Sequence, residues 1–433
     1  MFGYYLDLAL RSLKRNKMLT ALMVVTLGVG IGACITTMTV LKLLSGDPLP
    51  QKSARLFYPK INYHDAANSH GKASTPEPTM SYLDAMALLR AHKAKRQAAM
   101  AMTAVKVMPV KPGLRPFFTN VMMTTADFFD LFDAPFEYGS GWSSTEGAAG
   151  APVVVIADYL NRKLFGGIDS VGRTLRMGSK DYRIIGVLRP WAPQPRFYAL
   201  YLGGHSYGQG DAVFMPLETA VDVGLQPENE LCFGQGDFSK LKTAPCRWLA
   251  VWVELASAGQ AGTYRQFLSN YVQQQITAGR LHNKATALPN LMQFLTKAHV
   301  VPADAQIEAY VAFGFLLICV VNTVGLLLAK CLKRKREIGV RRALGASRRA
   351  IFAQFLTEAA IIGVAGGVLG LGLTFLGLWA VRQQPADYAK LAHLDLAMFV
   401  FTFVVALVAS LIAGLLPAWR ACVVAPAPQL KSI

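Results

Sequence analysis

Four long apolar stretches constrain this chain more than anything else in it. They cover residues 18–44, 307–329, 355–381 and 396–416. Each holds roughly twenty or more predominantly apolar residues, the length a helix needs to cross a ~30 Å hydrocarbon core. A soluble helix of that length would keep a polar face, and these mostly have none. A basic arm, an apolar run and Ile31-Gly32-Ala33-Cys34 also fit a leader ending in a lipidated cysteine. The apolar run continues through Val40, Leu41, Leu43 and Leu44, which favours an uncleaved span. The expected fold is an α-helical membrane protein with four transmembrane helices. A large mixed α/β extracytoplasmic domain, residues 45–306, is inserted between the first and second spans.

Charge placement supports this and gives an orientation. The chain carries 44 Lys/Arg against 26 Asp/Glu, a net charge of +18. Residues 46–306 hold 26 basic and 20 acidic residues, so the other twelve positive charges flank the apolar stretches. That distribution argues against a nucleic-acid partner and for topology-setting loops. Arg11, Lys14, Arg15 and Lys17 precede the first span, and nine Lys/Arg lie between Lys330 and Arg349. In the 382–395 link, Arg382 and Lys390 are balanced by Asp387 and Asp395. Hence the arm 1–17, the segment 330–354 and the tail 417–433 are expected in the cytoplasm. The 45–306 domain and the 382–395 link are expected outside.

The inserted domain reads as alternating strands and helices. Strands are expected at 55–61, 103–108, 120–124, 153–156 and 248–255, with a hairpin at 174–188. Helices are expected at 79–92, 158–165 and 262–278. Residues 190–210 are rich in Pro, Gly and aromatics, including Trp191, Phe197, Tyr198, Tyr201 and Tyr207. This segment either caps its own core or contacts an apolar partner. The first reading is favoured.

Cys232 and Cys246 lie fourteen positions apart in the inserted domain. In an oxidising compartment they form a candidate disulfide, although spacing alone leaves two free thiols equally open. Small residues recur at four-residue spacing: Gly28 and Gly32, Gly363 and Gly367, Gly366 and Gly370. Such faces bring helix backbones close in lipid, either within this chain or across a dimer. His64, Asp65 and His70 are the only residues that suggest a metal site, and a solvated loop is the preferred reading. The sequence has no phosphate-binding G-x-x-x-x-G-K-[ST] loop, G-x-S-x-G elbow or H-E-x-x-H. Lys42 and Glu308 sit near outer span ends, where they can snorkel. Glu358 is the one acid placed deeper, near the inner end of the third span. No series of intramembrane acids of the kind proton-driven carriers use is present.

The most specific stretch is Lys333-Arg334-Lys335-Arg336-Glu337-Ile338-Gly339-Val340-Arg341-Arg342-Ala343-Leu344-Gly345-Ala346-Ser347-Arg348-Arg349. With Phe355-Leu356-Thr357-Glu358 and the glycine-rich span after it, it resembles the signature block of the FtsX/MacB family of ABC-transporter permeases. Leu416-Pro417-Ala418-Trp419-Arg420-Ala421 is similar to that family's C-terminal end. Val153–Ile156, Leu164-Phe165-Gly166, Asp169-Ser170-Val171-Gly172 and Ile184-Ile185-Gly186-Val187 resemble the MacB periplasmic core.

The resemblance implies a permease without its own ATPase motif, working by mechanotransmission. ATP and magnesium would be held by a cytoplasmic ATPase, expected as a separate chain. The expected contact with it is Glu337, Gly339, Arg341, Arg342, Ala343, Leu344 and Gly345. The interleaved Ile338, Val340, Ala343 and Leu344 give this basic segment an apolar side that needs a surface. Further implied partners are a second permease, either a copy or a paralogue, and membrane lipid. A periplasmic adaptor and an outer-membrane duct are open additions. The expected setting is the bacterial inner membrane. Export or extraction of a peptide, antibiotic, siderophore or lipoprotein is the expected task. Control of a periplasmic enzyme such as a cell-wall hydrolase, and a non-energised scaffold, are the alternatives.

Overall fold

The computed structural model describes residues 8–9, 12–13, 16–64, 76–109, 113–232, 240–384 and 388–423. The chain divides into two units: Met1–Ser45 with Val301–Ile433, and Gly46–Val300. Four helices are long and apolar enough to cross a membrane, and the mixed α/β domain follows the first.

Helix α1 (Lys17–Ser45) is rich in Val, Ile and Thr yet helical, because in hydrocarbon each backbone polar group must be satisfied within its own segment. Its threonines comply: Thr36, Thr37 and Thr39 return their hydroxyls to the carbonyls of Gly32, Ala33 and Ile35 at 2.8, 2.9 and 2.7 Å. The helix continues eleven residues past Cys34 to Ser45.

The second unit begins with strands β1 (Leu56–Phe57), β2 (Lys60–Ile61) and β3 (Met80–Ser81), then helix α2 (Tyr82–Arg90). Strands β4 (Arg96–Val107) and β5 (Phe117–Thr124) follow, then α3 (Phe128–Leu131), β6 (Phe136–Gly139), α4 (Ser144–Ala148), β7 (Val153–Ile156) and α5 (Asp158–Phe165). Next come β8 (Thr174–Met177), β9 (Lys180–Leu188), β10 (Val213–Pro216), α6 (Leu217–Asp222), β11 (Leu231–Cys232) and β12 (Cys246–Glu254). Helix α7 (Ala261–Thr277), β13 (Thr286–Ala287) and α8 (Leu291–Lys297) complete it. The main sheet runs β1-β12-β4-β5-β10-β7-β9-β6. The β5–β10 and β7–β9 pairs are parallel and the other pairs antiparallel. Every residue of β12 is buried, as befits a central strand covered on both faces.

Three expectations need correction. The strand expected over 55–61 is two strands in two sheets, since Pro59 between them has no N–H to give a ladder. The strand expected from Thr103 begins at Arg96. Its Ala-rich first half is a poor strand former, but Ala98, Ala99 and Ala101 are fully buried and pairing decides the outcome. Strands β3, β6, β10, β11 and β13 have no counterpart among the expected strands, and β3 occupies the first turn of the helix expected over 79–92. The aromatic 190–210 segment turns inward: Phe197, Tyr198 and Tyr207 are buried, and Trp191 stacks on Tyr198 at 5.3 Å. A buried Arg196–Asp211 ion pair at 2.6 Å ties its ends together. This is the core-capping arrangement.

After the inserted unit come α9 (Ala303–Lys333), α10 (Lys335–Ala343), α11 (Arg348–Arg382) and α12 (Leu396–Val423). Helix α1 packs on α9 and α11, and α12 packs on α9 and α11. The outer side of α9 presents Val311, Leu317, Ile318 and Val321, each more than half exposed, as a lipid-facing surface should. Lys42 does not merely snorkel. It pairs with Asp395 at 2.5 Å.

Candidate functional site

The basic elbow between α9 and α11 is built by local rules. Helix α10 ends with Leu344 as its cap, and Gly345 follows at φ 98°. The Ala346 N–H donates to Arg341 O at 3.0 Å and the Gly345 N–H to Arg342 O at 3.1 Å. This pair of bonds defines a Schellman stop, which needs a left-handed residue where Gly345 stands. Ser347 then caps α11, its hydroxyl accepting from the Ala350 N–H at 3.2 Å. The chain therefore turns from one helix into the next within four residues.

The elbow is fastened to α11 from the inside. Glu358 is fully buried and accepts from Lys330 Nζ at 2.8 Å and Arg334 Nη1 at 3.1 Å. Lys330 is 1% exposed and Arg334 11%. Charges taken out of water persist only when paired and hydrogen-bonded, and here one carboxylate serves two cations. One turn further out, Arg341 Nη1 donates to Gln354 Oε1 at 3.1 Å, and its other terminal nitrogen pairs with Glu337 at 2.8 Å. Ile338, Cys331, Ile351, Phe355 and Ala418 close over these polar contacts as a small apolar cluster.

The seven residues expected to touch an ATPase therefore differ in setting. Gly339 is buried, Glu337 and Arg341 bind each other, and Arg342 is half-buried. Ala343, Leu344 and Gly345 are exposed, Leu344 by 83%. Ile338, expected on the outward apolar side, packs inward instead because the helix ends of α9, α11 and α12 offer it a dry pocket. The outward apolar surface is Val340, Ala343 and Leu344. Sequence reasoning missed the Lys330–Glu358–Arg334 cluster, counting Lys330 and Arg334 only among the nine basic residues that set the orientation. The available signal was an isolated acid inside an apolar span with a lysine ending the span before it.

The packing glycines are used within the chain. A Cβ on Gly28 would lie 2.9 Å from Leu369, and one on Gly32 2.7 Å from Leu373. One on Gly370 would meet Ile31 at 2.9 Å, one on Gly367 would meet Ala406 at 2.9 Å, and one on Gly363 would overlap Ser410 Oγ at 2.0 Å. These are contacts of α1 with α11 and of α11 with α12. In the inserted unit, Cys232 and Cys246 are joined in a disulfide between the cross-strand partners of β11 and β12. His64 pairs with Glu77, and Asp65 and His70 lie outside the described residues. Among the described residues no cluster of three or more His, Cys, Asp or Glu could hold a metal.

Comparison with known proteins adds two family matches. Residues 20–266 match the MacB-like periplasmic core domain, and residues 309–426 match the FtsX-like permease C-terminal region. The pyoverdine export ATP-binding/permease protein PvdT of Pseudomonas aeruginosa is 25% identical over 353 residues, covering 76% of this chain and 45% of that protein. The macrolide export ATP-binding/permease protein MacB of Rhodospirillum rubrum is 24% identical over 433 residues, covering all of this chain and 60% of that one. The chain thus spans about half the length of such relatives. The crystal structure of the periplasmic region of MacB from Actinobacillus actinomycetemcomitans aligns with a TM-score of 0.38 at 12% identity, covering 59% of this chain and 97% of that one.

Proposed function

The chain belongs to the ABC-transporter permeases that join a MacB-like periplasmic core domain to an FtsX-like permease region, and from that premise we propose that it carries force from a cytoplasmic ATPase to the inserted domain. The observation that carries the proposal is the elbow. A short helix is tied to a spanning helix by Arg341 on Gln354, and the residues that lead into it, Lys330 and Arg334, are tied to the same spanning helix by Glu358, which leaves Val340, Ala343 and Leu344 facing outward. A push on that surface moves α11 directly, because the link between them is an ion cluster and not a slack loop.

In this reading ATP and magnesium reside in the ATPase. The nine basic residues of 330–349 support an orientation in which the elbow and both termini face the cytoplasm of a bacterial inner membrane and the 46–300 unit is outside. The assembly is a dimer of permeases, from two copies or a copy and a paralogue. Relatives named for export of pyoverdine and of macrolides support export over enzyme control as the task. A periplasmic adaptor and duct extend the same scheme.

The test is co-purification of the full chain with its ABC ATPase. Leu344→Glu should release the ATPase while Leu344→Met retains it. Arg341→Glu is less decisive, since Arg341 also holds α10 to α11. Retention of the ATPase by Leu344→Glu overturns the assignment. So does labelling from one side of the membrane at cysteines placed at both Leu344 and Phe118, an exposed residue of the inserted unit.

A further inference from the structure

Separately from the ATPase contact, we infer that the elbow holds the headgroup of an anionic phospholipid in a cavity of about 470 Å³ lined by Lys333, Arg334, Arg336, Glu337, Val340 and Arg341. The inference rests on α9 spanning the membrane and needs no ATPase.

Charge selects an anion. Four of the six lining residues are cations and one is an acid. That acid, Glu337, is paired with Arg341 at 2.8 Å. Arg334 reaches Glu358 at 3.1 Å through one terminal nitrogen, and its guanidinium has further donors to give. Lys333 and Arg336 are exposed, and neither forms an ion pair among the described residues. From residue 330 to residue 358 the only acids are Glu337 and Glu358, so the neighbouring sequence supplies no third. Arg334 and Arg341 are fixed by the bonds they make to Glu358, Gln354 and Glu337. The cavity therefore presents oriented guanidiniums, the group that meets a phosphate with parallel donors.

Position selects a lipid over a dissolved anion. The cavity lies where α9 ends at Lys333. Ile318, Val321, Gly325, Ala329 and Leu332 lead down to it, all exposed and spaced three or four positions apart, hence on one face of α9. A Cβ on Gly325 would meet nothing within 4 Å, which leaves a notch in the stripe with room for an acyl chain. A phosphate at Lys333 and Arg336 thus has its hydrocarbon continuing along the same face. Each basic residue beside an anionic leaflet is worth about fivefold in binding. A zwitterionic headgroup would bring its own ammonium to the same cations.

The probe is radiolabelled phosphatidylglycerol, bound to the purified full chain in neutral detergent at fixed ionic strength, with no ATPase present. Saturable binding is expected. Phosphatidylcholine with the same acyl chains should compete about tenfold or more weakly, and millimolar inorganic phosphate should not displace the lipid. Lys333→Gln with Arg336→Gln should weaken phosphatidylglycerol by about twentyfold, the product of two charges. Lys335→Gln with Arg349→Gln removes equal charge at exposed positions outside the lining and should leave the affinity nearly unchanged. Absence of saturable binding, equal competition by phosphatidylcholine, displacement by inorganic phosphate, or an equal loss from the second pair of substitutions overturns the proposal. Leu344→Glu reads ATPase retention and these variants read lipid affinity, so either reading can fail alone.

Discussion

Replacing Glu358 with alanine strands Lys330, 1% exposed, and Arg334, 11% exposed, with no counter-ion. Removing one partner of a buried ion pair costs ~3–5 kcal/mol, mostly as the penalty of leaving the other charge buried. The upper part of that range is expected, because two cations lose the same carboxylate. Lys330→Met should cost less, since Glu358 keeps Arg334 at 3.1 Å. The double variant Lys330→Met with Glu358→Leu should recover most of the loss. Apolar replacements of buried pairs are often neutral or stabilising, and Arg334 can extend toward the membrane surface. For a unit of roughly 180 residues, ~2–4 °C per kcal/mol turns the Glu358→Ala cost into a fall in melting temperature of about 6–20 °C. The assay is thermal unfolding of the purified chain in nanodiscs, run as a double-mutant cycle. A loss under ~1 kcal/mol for Glu358→Ala, or a double variant equal to the sum of the singles, would show that the cluster does not fasten the elbow.

Other perturbations probe the same architecture. Gly345→Ala, at φ 98°, should cost ~1 kcal/mol through a left-handed Cβ, and Gly345→Pro more because the N–H to Arg342 is also lost; melting temperatures should rank wild type, alanine, proline. Gly363→Val should disrupt the α11–α12 packing, since even the first carbon would overlap Ser410 Oγ. Overpacking costs ~1–3 kcal/mol, and proteolytic susceptibility of the spans should rise. Cys232→Ser with Cys246→Ser opens a cross-link spanning fourteen positions. The inserted unit should lose ~3 kcal/mol by loop entropy, and reductant should destabilise the native chain and leave the variant unchanged.

The sequence alone determined the membrane architecture, because a twenty-residue apolar run has one way to satisfy its backbone in hydrocarbon, and that depends on no distant residue. The elbow's breaks are local as well: Gly345 and Ser347 set a helix stop and a helix start through neighbours within a few positions. The helix α5 with its Gly166 closure and the β8–β9 hairpin were legible for the same local reason. What only the tertiary structure decided involves partners far apart in the chain. Lys330 and Glu358 are 28 positions apart, and whether a basic side chain at a span's end meets water or a carboxylate depends on how α9 and α11 lie against each other. The Ala-rich half of β4 is a strand because β12 pairs with Arg96–Met100, and β5 takes up the ladder from Met100 onward. Gly28, Gly32, Gly363, Gly367 and Gly370 could have served a dimer face or the chain's own bundle. Side-chain volumes on the facing helices settled it, since Leu369, Leu373, Ser410, Ala406 and Ile31 already fill those sites.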